Sequence, residues 1–261
     1  MSDLPLVFRS LRVTYGELVA LEGLTISVRP GEIYGLIGAN GAGKSSAIKT
    51  VVGLVPAASG KVEIYGHDVL SDGITARQLT GYVPETSFLY DALTPREFLE
   101  FVASIRGLDS GTVSRRLSEF AVALQIEREL DQAISTLSNG TRQKAMLIGA
   151  LLHQPPLLLL DEPFNSLDPR AVRIMKDVLA AYVADGKRAV LFSTHTMEVA
   201  ERLCQRIGIL DRGQLRGEGT LDQLRRQVGQ EQATLEDIFL ALTTDRGELS
   251  RLVSMLGQHG P

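Results

Sequence analysis

Apolar and β-branched residues fall into short runs along the first sixty or so residues. LRVTYG, LTISV and EIYGLIG are bounded by Gly23, Pro30, Gly31 and the glycines beyond. Runs this short between breakers predict strands. After Gly43 the spacing changes to KSSAIKTVVGL, which predicts a helix ending near Gly53, and KVEIYG resumes as a strand. Residues 86–152 read as mostly helical. Thr94, Pro95 and Glu97 form a helix start, with Phe98, Val102 and Ile105 recurring on one face. Val113, Leu117, Phe120 and Leu124 mark a second helix. From Pro156 onward LLLLDEP predicts a buried strand, Asp168 and Pro169 open a helix carrying Val172, Met175 and Leu179, and RAVLFS predicts another strand. Such alternation predicts an α/β fold with a parallel sheet covered by helices. Beyond residue 212 the segments LDQLRRQV, TLEDIFLALT and ELSRLVSML predict short amphipathic helices that pack on the main body.

Composition narrows the class. The 261 residues, 44% hydrophobic, suffice for one large domain or for one domain with a small lobe. With 27 basic against 31 acidic residues, the net charge of −4 supplies no bulk field toward nucleic acid, and no nucleic-acid partner is expected. The single cysteine, Cys204, has no partner in the chain for a disulfide and reads as a small buried apolar residue. The most apolar region, MLIGALLHQPPLLLL, is interrupted by His153, Gln154, Pro155 and Pro156, well short of the ~18–20 residues of a spanning helix. The start, MSDLPLVFRS, lacks the pattern of a signal peptide.

Residues 38–45, GANGAGKS, match the phosphate-loop pattern between an expected strand and an expected helix. In the expected ATP-binding loop Gly38, Ala39, Asn40, Gly41, Ala42 and Gly43, the glycines let the backbone curl so that its N–H groups approach phosphate oxygens at a helix N-terminus. Lys44 would reach the β- and γ-phosphates, and the Ser45 hydroxyl is the expected Mg²⁺ ligand. LLLLDEP ends a buried strand on Asp161 and Glu162: Asp161 suits the Mg²⁺ shell and Glu162 a base that orients or deprotonates water near the γ-phosphate.

Residues 137–144, LSNGTRQK, precede DEP and resemble the signature motif of ATP-binding cassette (ABC) proteins, which usually reads LSGGQ. Leu137, Ser138 and Gly140 match, while Asn139 and Thr141 depart; asparagine tolerates positive φ better than other non-glycine residues. Tyr15 lies where the family places an aromatic that stacks on adenine, Ser46 continues the ATP-binding set, Leu167 and Asp168 resemble the D-loop, and His195 in STHTMEVAERL resembles the switch histidine. Glu85 in YVPETSFLY stands where the family has the Q-loop glutamine, and a carboxylate there is a further candidate Mg²⁺ contact. The resemblance covers about residues 6–220. It implies a P-loop NTPase (RecA-like) core with an antiparallel β subdomain and a helical subdomain. The ABC ATPase domain would span 1–220, its helical part about 86–152, with 221–261 a C-terminal helical extension packed on the core.

The resemblance further implies a transporter subunit that binds and hydrolyses ATP with Mg²⁺. Two such subunits would face each other, as a homodimer or a heterodimer with a related cassette, Ser138, Asn139 and Gly140 acting in trans. A separate integral membrane permease would carry the spanning part, leaving the chain peripheral on the cytoplasmic face of the membrane. LTPREFLEF, TLEDIFLALT and the single cassette look most like ABC-2 type exporter ATPases, with residues near Phe88 to Tyr90 passing motion to the permease. The alternatives are a soluble single-cassette ATPase such as one of iron–sulfur assembly, and a regulatory cassette with weak hydrolysis, suggested by Glu85, Asn139 and Thr141. A small GTPase is set aside because no NKxD motif occurs.

Overall fold

The computed structural model describes residues 4–87, 89–165 and 167–244. The first two strands, β1 (Leu6–Tyr15) and β2 (Leu18–Val28), pair antiparallel. Leu6, Phe8, Leu11 and Val13 of β1 are all buried although Arg9 and Ser10 interrupt the alternation. A register shift between Phe8 and Leu11 absorbs the extra residue and returns Leu11 to the buried side. After β3 (Ile33–Ile37) and the glycine loop come α1 (Lys44–Val51), β4 (Ser59–Ile64), β5 (His67–Asp68), α2 (Gly73–Gln78) and β6 (Thr80–Val83). The helical region holds α3 (Pro95–Ile105), α4 (Ser110–Leu124) and α5 (Asn139–Leu151). Then follow β7 (Leu157–Asp161), α6 (Pro169–Val183), β8 (Ala189–Thr194), α7 (Met197–Leu203), β9 (Arg206–Asp211), β10 (Gln214–Gly219), α8 (Leu221–Val228) and α9 (Leu235–Thr243).

Among the described residues the strands form two sheets, a four-stranded one in the order β2-β1-β4-β5 and a six-stranded one in the order β10-β9-β3-β8-β7-β6. The expected parallel pairing holds from β9 through β3, β8 and β7 to β6, while β10 folds back antiparallel on β9 and forms that edge of the sheet. Alternation along the central strands divides the core in two. Leu157 and Leu159 of β7, with Leu191 of β8, face the side where α1 lies between the two sheets. Leu158 and Leu160, with Phe192, face the side packed by α3, α5 and α6. Both faces are covered, which is why LLLL reads as a continuous apolar run.

The start of α3 is as the sequence predicts: Thr94 accepts from the Glu97 N–H at 3.2 Å, and Glu97 Oε2 accepts from the Thr94 N–H at 2.8 Å. Its buried face is different. Leu99 and Ala103 carry the contact with the core, Phe98 and Val102 are half-buried beside them, and Ile105 is 69% exposed. At about 100° per residue, Ile105 points farthest of the three expected residues from the Leu99–Ala103 direction, so the expected stripe is rotated away from the real one. α8 and α9 pack on the main body, burying Leu224, Leu235 and Ile238 in the larger core. The third C-terminal helix expected at ELSRLVSML, and Phe88, lie outside the described residues. Cys204 is half-buried rather than wholly buried; its sulfur packs against Gly35, and desolvation there pushes its thiol up.

Candidate functional site

Parallel strands put the candidate residues on one edge. In register, Ile37 of β3 sits beside Thr194 of β8, and Asp161 of β7 beside Ser193. The chain therefore leaves β3 at Gly38, β7 at Glu162 and β8 at His195 side by side, in the crevice at the carboxyl ends of the strands. Glycine is required twice in the loop. A Cβ on Gly38 would stand 2.3 Å from the Leu210 carbonyl oxygen, and Gly43, at φ 106°, would bring one 2.4 Å from the Ala20 oxygen. Gly43 also offers α1 no side-chain cap, so the first N–H groups of that helix stay open to an anion.

Lys44 is almost fully buried. Its Nζ donates to the carbonyls of Gly38 at 2.8 Å and Ala39 at 3.2 Å, and it pairs with Glu162 Oε1 at 3.1 Å. Glu162 Oε2 lies 3.1 Å from His195 Nδ1 and also meets the His195 N–H at 3.4 Å. Asp161 Oδ1 accepts from the hydroxyls of Ser45 at 2.9 Å and Ser193 at 2.7 Å. Its Oδ2 is buried with no hydrogen-bond partner among the described residues. No cluster of three or more His, Cys, Asp or Glu fit to cage a metal occurs among the described residues. A carboxylate with one oxygen bare and the other held by serine hydroxyls is instead compatible with a Mg²⁺ ion that takes its remaining ligands from phosphates and water. The residues present fit that ion.

Asn40, Gly41, Ala42, Gly43, Lys44, Ser45, Ser46, Glu85 and Glu162 line a cleft of about 350 Å³ together with Tyr15, Leu18 and Val19. Gly38 and Ala39 are not part of that lining and serve through their carbonyls. Tyr15 is 46% exposed, with its hydroxyl 3.3 Å from Ser46 Oγ. With Leu18 and Val19 it forms an apolar wall suited to a flat ring. The sequence reading missed Leu18 and Val19; the available signal was two apolar residues opening a strand next to the aromatic. It also missed Ser193, two residues before His195 on the same segment.

Ser138, Asn139, Gly140 and Asp168 do not line this cleft. Ser138 caps α5 by accepting from the Thr141 N–H at 3.2 Å. Asn139 is the first residue of α5 and has no positive φ, so its tolerance of left-handed backbone is not what admits it; a helix start accepts asparagine without strain. Asp168 is exposed and caps α6, and the Ala171 N–H it accepts holds its carboxyl below the usual range. A Cβ on Gly140 would lie 3.4 Å from Leu167, so these two segments adjoin each other away from the phosphate loop.

Comparison with known proteins follows this geometry. Residues 21–165 match the ABC transporter family. The chain is 37% identical, over 86% of its length and 91% of the other's, to the ABC-type transporter ATP-binding protein EcsA of Bacillus subtilis (strain 168). It is 36% identical, over 84% of its length and 72% of the other's, to the Nod factor export ATP-binding protein I of Burkholderia orbicola (strain AU 1054). A solved structure of the ATP binding subunit of an ABC transporter superposes with a TM-score of 0.86 at 37% identity, covering 92% of this chain and 99% of that one. Relatives named for transport and export favour the transporter reading over the soluble iron–sulfur alternative.

Proposed function

Because the chain belongs to the ABC transporter family as one of its ATP-binding, ATP-hydrolysing subunits, we propose that it works as a pair of chains, facing head to tail, that drives export through a separate membrane permease. The observation that carries this reading is the pairing of Lys44 with Glu162 in the cleft and of Ser45 with the buried Asp161 behind it. Tyr15, Leu18 and Val19 hold the adenine ring. Lys44 and the open N–H groups of the loop hold the β- and γ-phosphates. Ser45 and Asp161, with Glu85 nearby, hold Mg²⁺, which when bound neutralises charge developing on the phosphate oxygens. Glu162 orients the attacking water and takes its proton, and His195 positions Glu162 and contacts the γ-phosphate.

Ser138, Asn139 and Gly140 lie outside their own chain's cleft because they serve the cleft of a second copy, offering the N-terminal end of α5 to the γ-phosphate. Asp168 and Leu167, adjoining Gly140, belong to the same contact. Closing two chains on ATP assembles the fixed dipoles; loss of the γ-phosphate removes the bridge and lets them part.

No helix among the described residues is long and apolar enough to cross a membrane. A groove of about 290 Å³ between β6, α3 and α5, lined by Pro84, Phe98, Val102 and Met146, begins one residue from Glu85. A segment of the permease seated there would feel the state of the nucleotide, and in this reading the chain works as a peripheral subunit on the cytoplasmic face of the membrane. Phosphate release by the purified chain tests the reading: wild type turns over ATP with Mg²⁺, and Glu162→Gln binds ATP without turnover. Near-normal hydrolysis by that variant rejects Glu162 as the base.

A further inference from the structure

We propose that Ser193 is a positioning residue for ATP hydrolysis, aiming the Asp161 carboxylate and the Glu162 backbone so that one Asp161 oxygen stays bare for Mg²⁺. The inference rests on the reading of Asp161 as a metal ligand. Register places it there: β7 and β8 run parallel, and Asp161 and Ser193 are direct neighbours across the pair. Ser193 is wholly buried, and its hydroxyl works in both directions. It donates to Asp161 Oδ1 at 2.7 Å and accepts from the Glu162 N–H at 2.9 Å. A hydroxyl has one proton and two lone pairs, so a single rotor satisfies both neighbours at once.

Each bond has a consequence. Ser45 and Ser193 both donate to Oδ1, which fixes the carboxylate plane and leaves Oδ2 as the buried oxygen without a partner among the described residues. A metal that demands near-octahedral geometry responds strongly to such aim, and groups one bond removed from the ligand set it. Ser45 is itself a candidate ligand, so Ser193 is the anchor that need not rearrange when the ion arrives. The second bond holds a turn. Glu162 sits at φ 48°, in the left-handed region, and from there Oε1 reaches Lys44 while Oε2 reaches His195. Without an acceptor for its N–H, that turn loses a buried partner and the carboxylate its direction.

Threonine and valine separate the hydroxyl from the space it fills, because they share a shape and differ in that one group. The experiment uses the full chain carrying Ser193→Thr, Ser193→Val or Ser193→Ala. It measures binding of a non-hydrolysable ATP analogue as Mg²⁺ is titrated, binding of the same analogue in chelator, kcat, and the thermal midpoint. We expect Ser193→Val and Ser193→Ala to raise the Mg²⁺ needed for half-maximal binding, and to lower kcat, by about 10- to 100-fold. Affinity without metal stays at the wild-type value, and Ser193→Thr restores both quantities. Should the valine protein fail to fold, the alanine protein carries the comparison. Wild-type Mg²⁺ dependence and kcat in folded Ser193→Val or Ser193→Ala overturns the inference while leaving Asp161 in its role. An equal loss of metal-free affinity also overturns it, since that is general damage. Binding by wild type that ignores Mg²⁺ removes the metal reading of Asp161, and this inference with it.

Discussion

Lys44 Nζ lies 3.1 Å from Glu162 Oε1, and both side chains are almost wholly buried. The cation that would meet the triphosphate thus already neutralises the carboxylate that would activate water. Such a pair contributes little net stability compared with an apolar pair, but removing one partner strands the other charge. Lys44→Met should therefore destabilise the nucleotide-free chain by about 3–5 kcal/mol in denaturant unfolding. Combining it with Glu162→Gln should recover part of that loss, with a coupling of at least about 1 kcal/mol. Additive effects in the double variant would mean that the two groups do not hold each other.

Glu85 is exposed and lines the cleft with the phosphate loop. Its negative charge repels a bare triphosphate and attracts its metal. Glu85→Gln should bind metal-free ATP a few-fold more tightly, an effect of about 1 kcal/mol or less at an exposed site. It should also need more Mg²⁺ for half-maximal turnover and leave the thermal midpoint unmoved. Titrations with and without chelator check the two signs separately; identical curves for wild type and variant would make Glu85 a bystander.

The phosphate loop and the DEP carboxylates were legible because phosphate chemistry imposes local constraints. Glycine at Gly38 and Gly43 is demanded by backbone contacts of 2.3 and 2.4 Å, and that demand is written in adjacent letters. Thr94, Pro95 and Glu97 were legible for the same reason, since a capping box closes within one turn. Ser193, Leu18 and Val19 were not. Their roles come from register across a sheet and from a wall shared between strands, where partners are far apart in sequence. The buried face of α3 was misjudged because Ile105, the larger apolar residue, faces out while Ala103 faces in; periodicity gives a stripe without saying which neighbour it meets. The antiparallel return of β10 likewise follows from the short turn after β9, which alternation of strand and helix does not encode.

His153 lies in the turn just beyond α5, with Nε2 3.1 Å from the Thr80 carbonyl oxygen. Burial, aided by the charges of Arg106 and Arg116, lowers it from its ordinary 6.5 to about 4. Its folded value is below its unfolded one, so the unfolded chain binds more protons between these limits. This contribution to stability is complete above about pH 6.5 and is lost as pH falls toward 4. Thermal midpoints across that range should fall less steeply in His153→Gln, which keeps an N–H for Thr80 and does not titrate. Parallel curves would assign the acid sensitivity to other groups.

The most direct test concerns the shared nucleotide. Glu162→Gln should slow turnover enough to hold the closed pair, so its mass in solution can be read by light scattering with ATP and Mg²⁺, with ADP, and with chelator. We expect a dimer with ATP and Mg²⁺ alone, reverting to monomer when Ser138→Arg is added to block the opposite cleft. A Glu162→Gln chain that binds ATP at saturation and remains monomeric would contradict the head-to-tail pair.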